Sequence, residues 1–325
     1  MADVRHDWTR EEVRALFDLP FAEVAFRAQV AHRAHHDPSK VQLATLSNIK
    51  RGGCPEDCAY CPQAARYNTG VESEGLLPLD EVIDQAKRAK ANGASRFCMG
   101  AAWREVHDGR AFDRVVKMVE AVNDLGLEVC ATLGMIDEAK ARRLADAGLY
   151  AYNHNLDTSP EHYAEIISTR TYQDRLDTLG NVRRAGLTVC CGGIVGMGET
   201  REDRIGLLVT IAGLNPHPES VPINQLVPAP GTPLAEEKGV DIFEYLRTIA
   251  IARILLPTSM IRLAAGRTAL SREGQAFAFL CGANSIFYGP ALLTTENPPI
   301  DQDHALLNTL GMGPLEPQVA ARSAK

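Results

Sequence analysis

The 325-residue chain carries 34 Lys and Arg against 41 Asp and Glu, a formal net charge of −7, and 45% hydrophobic residues. With no dense run of Lys or Arg, it offers neither nucleic acid nor an anionic membrane an electrostatic hold, and small molecules are the expected partners. No apolar stretch reaches the ~18 residues of a membrane span, and the charged segment Met1 to Arg14 is not built as an export signal, so a cytoplasmic protein is expected. In that compartment eight cysteines serve as metal ligands, catalytic thiols or core residues rather than as a disulfide framework.

Residues 9–36 read as helical, with a capping box at Thr9 and Glu12 and a stop at His36-Asp37-Pro38, so residues 1–40 form an N-terminal helical cap. From residue 41 short β-rich segments alternate with helical patterns of ten or more residues. Strands are expected at 42–48, 95–101, 127–133, 149–157, 187–195, 221–227, 260–265 and 284–288, with helices near 79–92, 111–125, 137–147, 173–185, 201–213, 241–255 and 269–281. Several helices are closed by glycine, as at Gly93, Gly126, Gly148 and Gly186. Eight such units imply an α/β fold, a (β/α)8 TIM-type barrel over residues 41–312 as one domain, with the N-terminal helices as an extension. Strand count alone leaves a doubly wound open sheet as the alternative. Residues 313–325, rich in Pro, Ala and polar residues, are expected to be a flexible tail without function.

In a barrel the chemistry sits at the C-terminal ends of the strands, and the loop after the first strand, Gly52-Gly53-Cys54-Pro55-Glu56-Asp57-Cys58-Ala59-Tyr60-Cys61-Pro62, carries a C-x3-C-x2-C run. Gly and Pro keep it out of regular structure, so it is free to wrap its sulfurs around one centre. Three thiolates are one short of a closed structural zinc site, and they leave one iron of a four-iron, four-sulfur cluster without a protein ligand. A zinc site completed by a distant residue and a chance group of buried thiols are the bland alternatives; a cube with an open corner is favoured.

Cys98, Cys130 and Cys190 fall in the second, third and fifth strands, where alternation lets each point inward. Each alone is best explained as a small buried residue, but three in separate strands of one barrel are harder to dismiss. Cys191 and Cys281 read as packing residues. Arg262, inside the seventh strand, is either a ligand or half of a buried salt bridge. The fourth strand places Asn153, Asn155 and Asp157 on one face, a polar row suited to a ligand or to an internal network, with His154 packed the other way. Asn224, in the sixth strand, is placed to join that recognition. Gly192-Gly193-Ile194-Val195-Gly196-Met197-Gly198-Glu199 lacks a dinucleotide fingerprint, yet its glycines, like Gly100-Ala101-Ala102, permit close backbone approach to a ligand.

With these residues assembled, the chain resembles the biotin synthases, a family of radical S-adenosylmethionine (SAM) enzymes, over nearly all of residues 40–310. C-x3-C-x2-C alone points to the radical SAM superfamily; Tyr152 to Thr158, Val221 to Leu226, Arg262 to Arg267 and Gly282 to Tyr288 narrow the resemblance. It implies that Cys54, Cys58 and Cys61 hold a [4Fe-4S] cluster whose open iron chelates SAM, and that Cys98, Cys130, Cys190 and Arg262 hold a [2Fe-2S] cluster. It also implies SAM contacts from Tyr60, Gly100, Ala101, Asp157 and Ile194, and dethiobiotin contacts from Asn153, Asn155 and Asn224. The family chemistry so implied is reductive SAM cleavage, hydrogen abstraction from dethiobiotin by a 5′-deoxyadenosyl radical, and sulfur insertion from the inner cluster. A flavodoxin or ferredoxin as electron donor and a homodimer are implied in the same way. One departure is Val227-Pro228-Ala229-Pro230-Gly231, where some relatives carry basic residues; it leaves the cluster ligands untouched.

Overall fold

The computed structural model describes residues 4–289, 291–292 and 294–321. Its centre is a ring of parallel strands: β1 (Lys40–Lys50), β2 (Arg96–Ala101), β3 (Glu128–Thr132), β4 (Ala151–Asn153), β5 (Thr188–Cys190) with β6 (Gly193–Val195), β7 (Ser220–Gln225), β8 (Met260–Leu263) and β9 (Ser285–Phe287). β9 pairs back onto β1, with Gln42 opposite Ser285, so the sheet is closed and the open-sheet alternative falls. Around it lie α1 (Arg10–Asp18), α2 (Phe21–His35), α3 (Leu79–Ala91), α4 (Arg110–Asp124), α5 (Glu138–Asp146), α6 (Tyr163–Ile166), α7 (Tyr172–Arg184), α8 (Arg201–Ala212), α9 (Ile242–Leu255), α10 (Arg272–Leu280) and α11 (Ile300–Thr309).

Strand alternation divides the buried residues into two layers. Phe97, Met99, Val129 and Ala131 belong to the core between sheet and helices, whereas Ala44, Cys98, Cys130 and Ala151 form a separate cluster inside the ring. The helices supply the outer half of the core by three- and four-residue spacing; α4 buries Phe112, Val115, Met118, Val119 and Val122. At roughly 1.5–3 kcal/mol for each large apolar side chain removed from water, that face alone commits α4 to the sheet.

Three segments depart from expectation here, besides the fourth strand, whose end belongs to the site below. The N-terminal helix is two helices, because Pro20 caps α2 and draws Leu19 into extended backbone; the capping box at Thr9 and Glu12 is present. The fifth strand is broken between β5 and β6. Opposite the break lies Pro222, which has no amide hydrogen for the ladder, and a Cβ on Gly192 would come within 1.9 Å of the Pro222 carbonyl oxygen. Residues 313–321 are not a loose tail: Gly313–Pro314 form β12 (β10 and β11 are given below) and pair with Lys40 and Val41. The segment then crosses the base of the barrel, where Tyr150 donates to Gln318 Oε1 at 2.6 Å and Asn123 Nδ2 to Ala320 O at 3.0 Å.

Candidate active site

The three-cysteine loop leaves the C-terminal end of β1 through Gly52 and Gly53, both at positive φ (62° and 67°). A Cβ on Gly52 would stand 2.3 Å from the Glu72 carbonyl oxygen, so the turn requires glycine. The loop closes on itself, Cys54 N–H donating to Gln63 O at 2.9 Å and Ala65 N–H to Cys54 O at 2.8 Å. It is clasped from outside by the segment after α6. Asp57 accepts from the amides of Ser168 (3.0 Å) and Thr169 (3.2 Å) and from both hydroxyls. Burial pushes the Asp57 carboxyl up, but these donors outweigh it and hold it at about 2.

Cys58 packs among Tyr163, Ile166, Met197 and Leu226. Burial pushes its thiol up to about 11, against the opposing charge of Arg170, and burial with the neighbouring Cys58 pushes Cys61 up to about 12. Arg170 Nη2 lies 3.9 Å from the Cys58 sulfur. Among the described residues no three Cys, His, Asp or Glu side chains converge closely enough to hold one metal ion. Three thiolates on one loop are one short of the four that close a structural zinc site and match an iron-sulfur cube with one open corner.

Deeper in the barrel, Cys98 and Cys130 stand directly opposite one another on β2 and β3. One hydrogen bond between the two thiols eases the Cys98 proton off and, together with burial, keeps that of Cys130 in place. Cys190, on β5, receives a contact from Arg262 Nη1 at 3.7 Å. Arg262 is 1% exposed and no carboxylate pairs with it among the described residues. Its other donors go to Ser285 Oγ (2.9 Å) and Gln42 Oε1 (2.7 Å), and its guanidinium lies 5.1 Å from the Phe287 ring centroid. The buried-salt-bridge explanation of Arg262 thus finds no acid. Three thiols and an uncompensated guanidinium remain, a donor set that fits a small anionic cluster.

Both thiol sets open onto one cavity of about 310 Å³, and every site residue expected from sequence lines it, from Cys54 and Tyr60 at the mouth to Cys190 and Arg262 at depth. The polar row, however, is not a strand face. β4 ends at Asn153; Asn155 and Asp157 sit in the following turn, and Asp157 adopts φ 66°. His154, expected to face away, also lines the cavity, because the alternation it was assigned from has stopped. Burial pushes its imidazole well below the ordinary value, so it is neutral, and its Nε2 has no hydrogen-bond partner among the described residues.

Each polar residue already has protein partners. Asn153 Nδ2 donates to Thr132 Oγ1 at 3.0 Å, Asn155 Oδ1 accepts from Gly192 N at 3.1 Å, and Asn224 bridges Gly193 O and Ala265 N at 3.0 and 3.2 Å. Asp157 accepts from Tyr60 OH at 2.9 Å and pairs with Arg175. Tyr60 is a firm donor there, since burial pushes its phenol up. The close approach allowed by Gly192 and Gly193 is to the protein itself, to the Pro222 backbone and to the Leu207 side chain and Asp157 backbone.

Sequence reasoning missed Arg170 and Arg175. A faint signal existed for Arg175: an arginine in the first turn of a helix opposes the helix dipole and calls for a buried acid, here Asp157. It also missed the hairpin of β10 (Ala291–Leu292) and β11 (Thr295–Glu296), which brings Leu292, Thr294 and Thr295 to the cavity.

Comparison with known proteins bears on this arrangement. Residues 49–211 match the radical SAM superfamily, and residues 222–313 match the biotin and thiamin synthesis associated domain. The biotin synthase of Myxococcus xanthus is 60% identical over 316 residues, covering 97% of this chain and 91% of that one. That of Nitrosococcus oceani is 61% identical over 314 residues (97% and 91%), and that of Synechococcus elongatus 58% over 316 (97% and 99%). This chain belongs to the biotin synthase family. Solved structures of methylornithine synthase (PylB), with TM-score 0.79 at 19% identity and coverage of 95% and 94%, and of HydG, a maturase of the [FeFe]-hydrogenase, with TM-score 0.80 at 15% identity and coverage of 94% and 72%, share its fold. For a biotin synthase relative, the two matched segments divide the cavity: the first supplies the cysteine loop and β2 to β5, the second supplies β7, β8 and β9 with Asn224 and Arg262.

Proposed function

We propose that this chain converts dethiobiotin to biotin by radical SAM sulfur insertion. In this reading Cys54, Cys58 and Cys61 hold a [4Fe-4S] cluster, and Cys98, Cys130, Cys190 and Arg262 hold a [2Fe-2S] cluster. Bound there, the outer cluster would bring the reducing electron chemistry for SAM cleavage and the inner one a source of sulfur. One observation carries the reading: a single cavity is lined by both thiol sets, with an arginine at its depth that has no acid partner among the described residues.

The chain's own residues position and shield. Tyr60 and Asp157 form a fixed donor and acceptor pair beside the outer loop for the ribose of SAM, and Gly100, Ala101 and Ile194 offer close walls. Asn153, Asn155 and Asn224, on β4, its turn and β7, line the same cavity as the two thiol sets, where an amide-bearing ureido ring finds both donors and acceptors. Their present backbone bonds preset their orientation.

Further parts of the proposal are a flavodoxin or ferredoxin as electron donor, a cytoplasmic site of action, and a homodimer. The eight cysteines are all free thiols, and no helix among the described residues is long and apolar enough to cross a membrane. Exposed Phe26 and Val30 on α2 and Phe277 and Leu280 on α10 support self-association, the two helices being joined where Gln29 Nε2 donates to Leu280 O at 2.8 Å.

The deciding experiment is anaerobic reconstitution followed by a product assay with dethiobiotin, SAM and a reductant. Two spectroscopically distinct clusters and biotin are expected, and Cys98→Ala should keep SAM cleavage while losing biotin. Absence of SAM cleavage by the intact chain overturns the proposal.

A further inference from the structure

Below the inner thiols lies a second polar layer that the reaction itself does not call on. Arg262 donates through Nε to Ser285 and through Nη2 to Gln42 Oε1. Gln42 then donates from Nε2 to Glu128 Oε2 at 2.9 Å. Its amide orientation is fixed by chemistry, since only the oxygen suits a guanidinium and only the nitrogen suits a carboxylate. Glu128 also takes Arg96 Nε at 2.8 Å on the same oxygen. Its other oxygen accepts the backbone N–H of Gln318 at 2.7 Å, from the segment that crosses the base of the barrel. Gln42, Glu128, Arg96 and Arg262 are each no more than 2% exposed.

The links from Arg262 through Gln42 to Glu128 and Arg96 are buried, so each of those bonds acts at low local dielectric and an unmade one leaves a desolvated polar group, while the Gln318 link closes the relay part-buried at the base. Gln42 sits at the junction. It receives the guanidinium on one side and passes the constraint to a carboxylate that the C-terminal segment and Arg96 hold from two directions. The guanidinium is thereby fixed by two of its nitrogens, and Nη1 is left facing Cys190.

We propose that Gln42 and Glu128 are positioning residues for Arg262, and that the C-terminal segment, through the Gln318 amide, is the anchor of that relay. The inference rests on the reading that Arg262 and the three strand cysteines hold the inner cluster. The segment at the base is then part of the cluster site, although no side chain of it touches the thiols. Partners that orient a metal ligand from behind typically carry about tenfold to a hundredfold in metal affinity or activity.

The test compares the reconstituted full chain with Gln42→Met, which keeps the length of the side chain but none of its hydrogen bonds, and with a chain ended after Leu315, which removes the anchor together with the bonds that Tyr150 and Asn123 make to the same segment. Each is followed by the circular dichroism and Mössbauer signatures of both clusters, by the rate of iron loss to a chelator, and by the thermal midpoint. The expected result is an altered inner-cluster signature, with iron loss from that cluster about tenfold to a hundredfold faster, while the outer cluster keeps its signature and rate. The shortened chain should show the same change in smaller measure. If both clusters are lost faster in step with a lower midpoint, the relay is only structural and the inference fails. Unchanged inner signatures and rates in both variants, with the inner cluster present in the full chain, also overturn it. If the full chain forms no second cluster at all, the ligand set itself is wrong and the relay falls with it.

Discussion

The two cysteine sets of this chain are held by opposite means. Cys54, Cys58 and Cys61 ride on a loop that has no ladder of its own and is fixed by a side-chain clasp, Asp57 against Ser168 and Thr169. Cys98, Cys130 and Cys190 need no clasp, because strand register places them, Cys98 opposite Cys130 and Cys190 opposite Asn153. The loop arrangement leaves Cys54 and Cys61 partly open at the mouth, while the inner three are buried. A site that must admit a ligand is built on a clasped loop, and a site that must be screened is built into the sheet.

The largest effects should separate the two sets by function. Cys58→Ser is expected to abolish SAM cleavage and biotin formation together, whereas Cys130→Ser should lose biotin and keep SAM cleavage, as read by 5′-deoxyadenosine release. If both variants lose both activities, the division of labour is wrong. Next, register should prove less forgiving than the clasp. Gly192→Ala drives a Cβ into the Pro222 carbonyl and is expected to cost on the order of 4 kcal/mol or more, measured by chemical denaturation. A fully stable variant would mean the fifth strand need not break. Asp57→Asn swaps a charged acceptor for an amide that faces several donors, at an expected cost of about 2–3 kcal/mol. Its damage should fall on the outer cluster alone, seen as faster iron loss there.

The smallest effect belongs to a place that touches neither set. His32, on α2, is buried, its ring nitrogens have no hydrogen-bond partners among the described residues, and burial with the nearby Arg253 charge pushes it down to about 3. The unfolded chain binds this proton near pH 6.5 and the folded chain does not, so stability is full above that value and is lost as pH falls toward 3. His36 behaves alike with a value of about 4, pushed down by burial first. His32→Leu should flatten part of the acid limb, by on the order of 1–2 kcal/mol at pH 5, with little change at pH 8. An unaltered thermal midpoint profile would count against a neutral His32.

Much of this was legible in the sequence because barrels repeat one local rule. Alternation put Cys98 and Cys130 inside, and glycine-closed helices marked the units, so strand positions were recovered to within a few residues from β1 to β9. The rule failed where tertiary contact overrode it. Asn155 and Asp157 looked like strand residues, but the chain turns at Asn153, and Asp157 takes a left-handed conformation held by Tyr60 and Arg175. The C-terminal segment looked disposable because, apart from the Gln318 side chain, the bonds given for it are made by backbone amides and carbonyls, which composition does not reveal.

That segment has a consequence for traffic. With the base crossed by residues 315–321, the mouth beside the cysteine loop is the door that the described cavity offers, and the two thiol sets stand one behind the other along it. In the reading proposed above, an order of loading follows: whatever the inner thiols hold has to pass the cysteine loop before that loop takes up its own ligand.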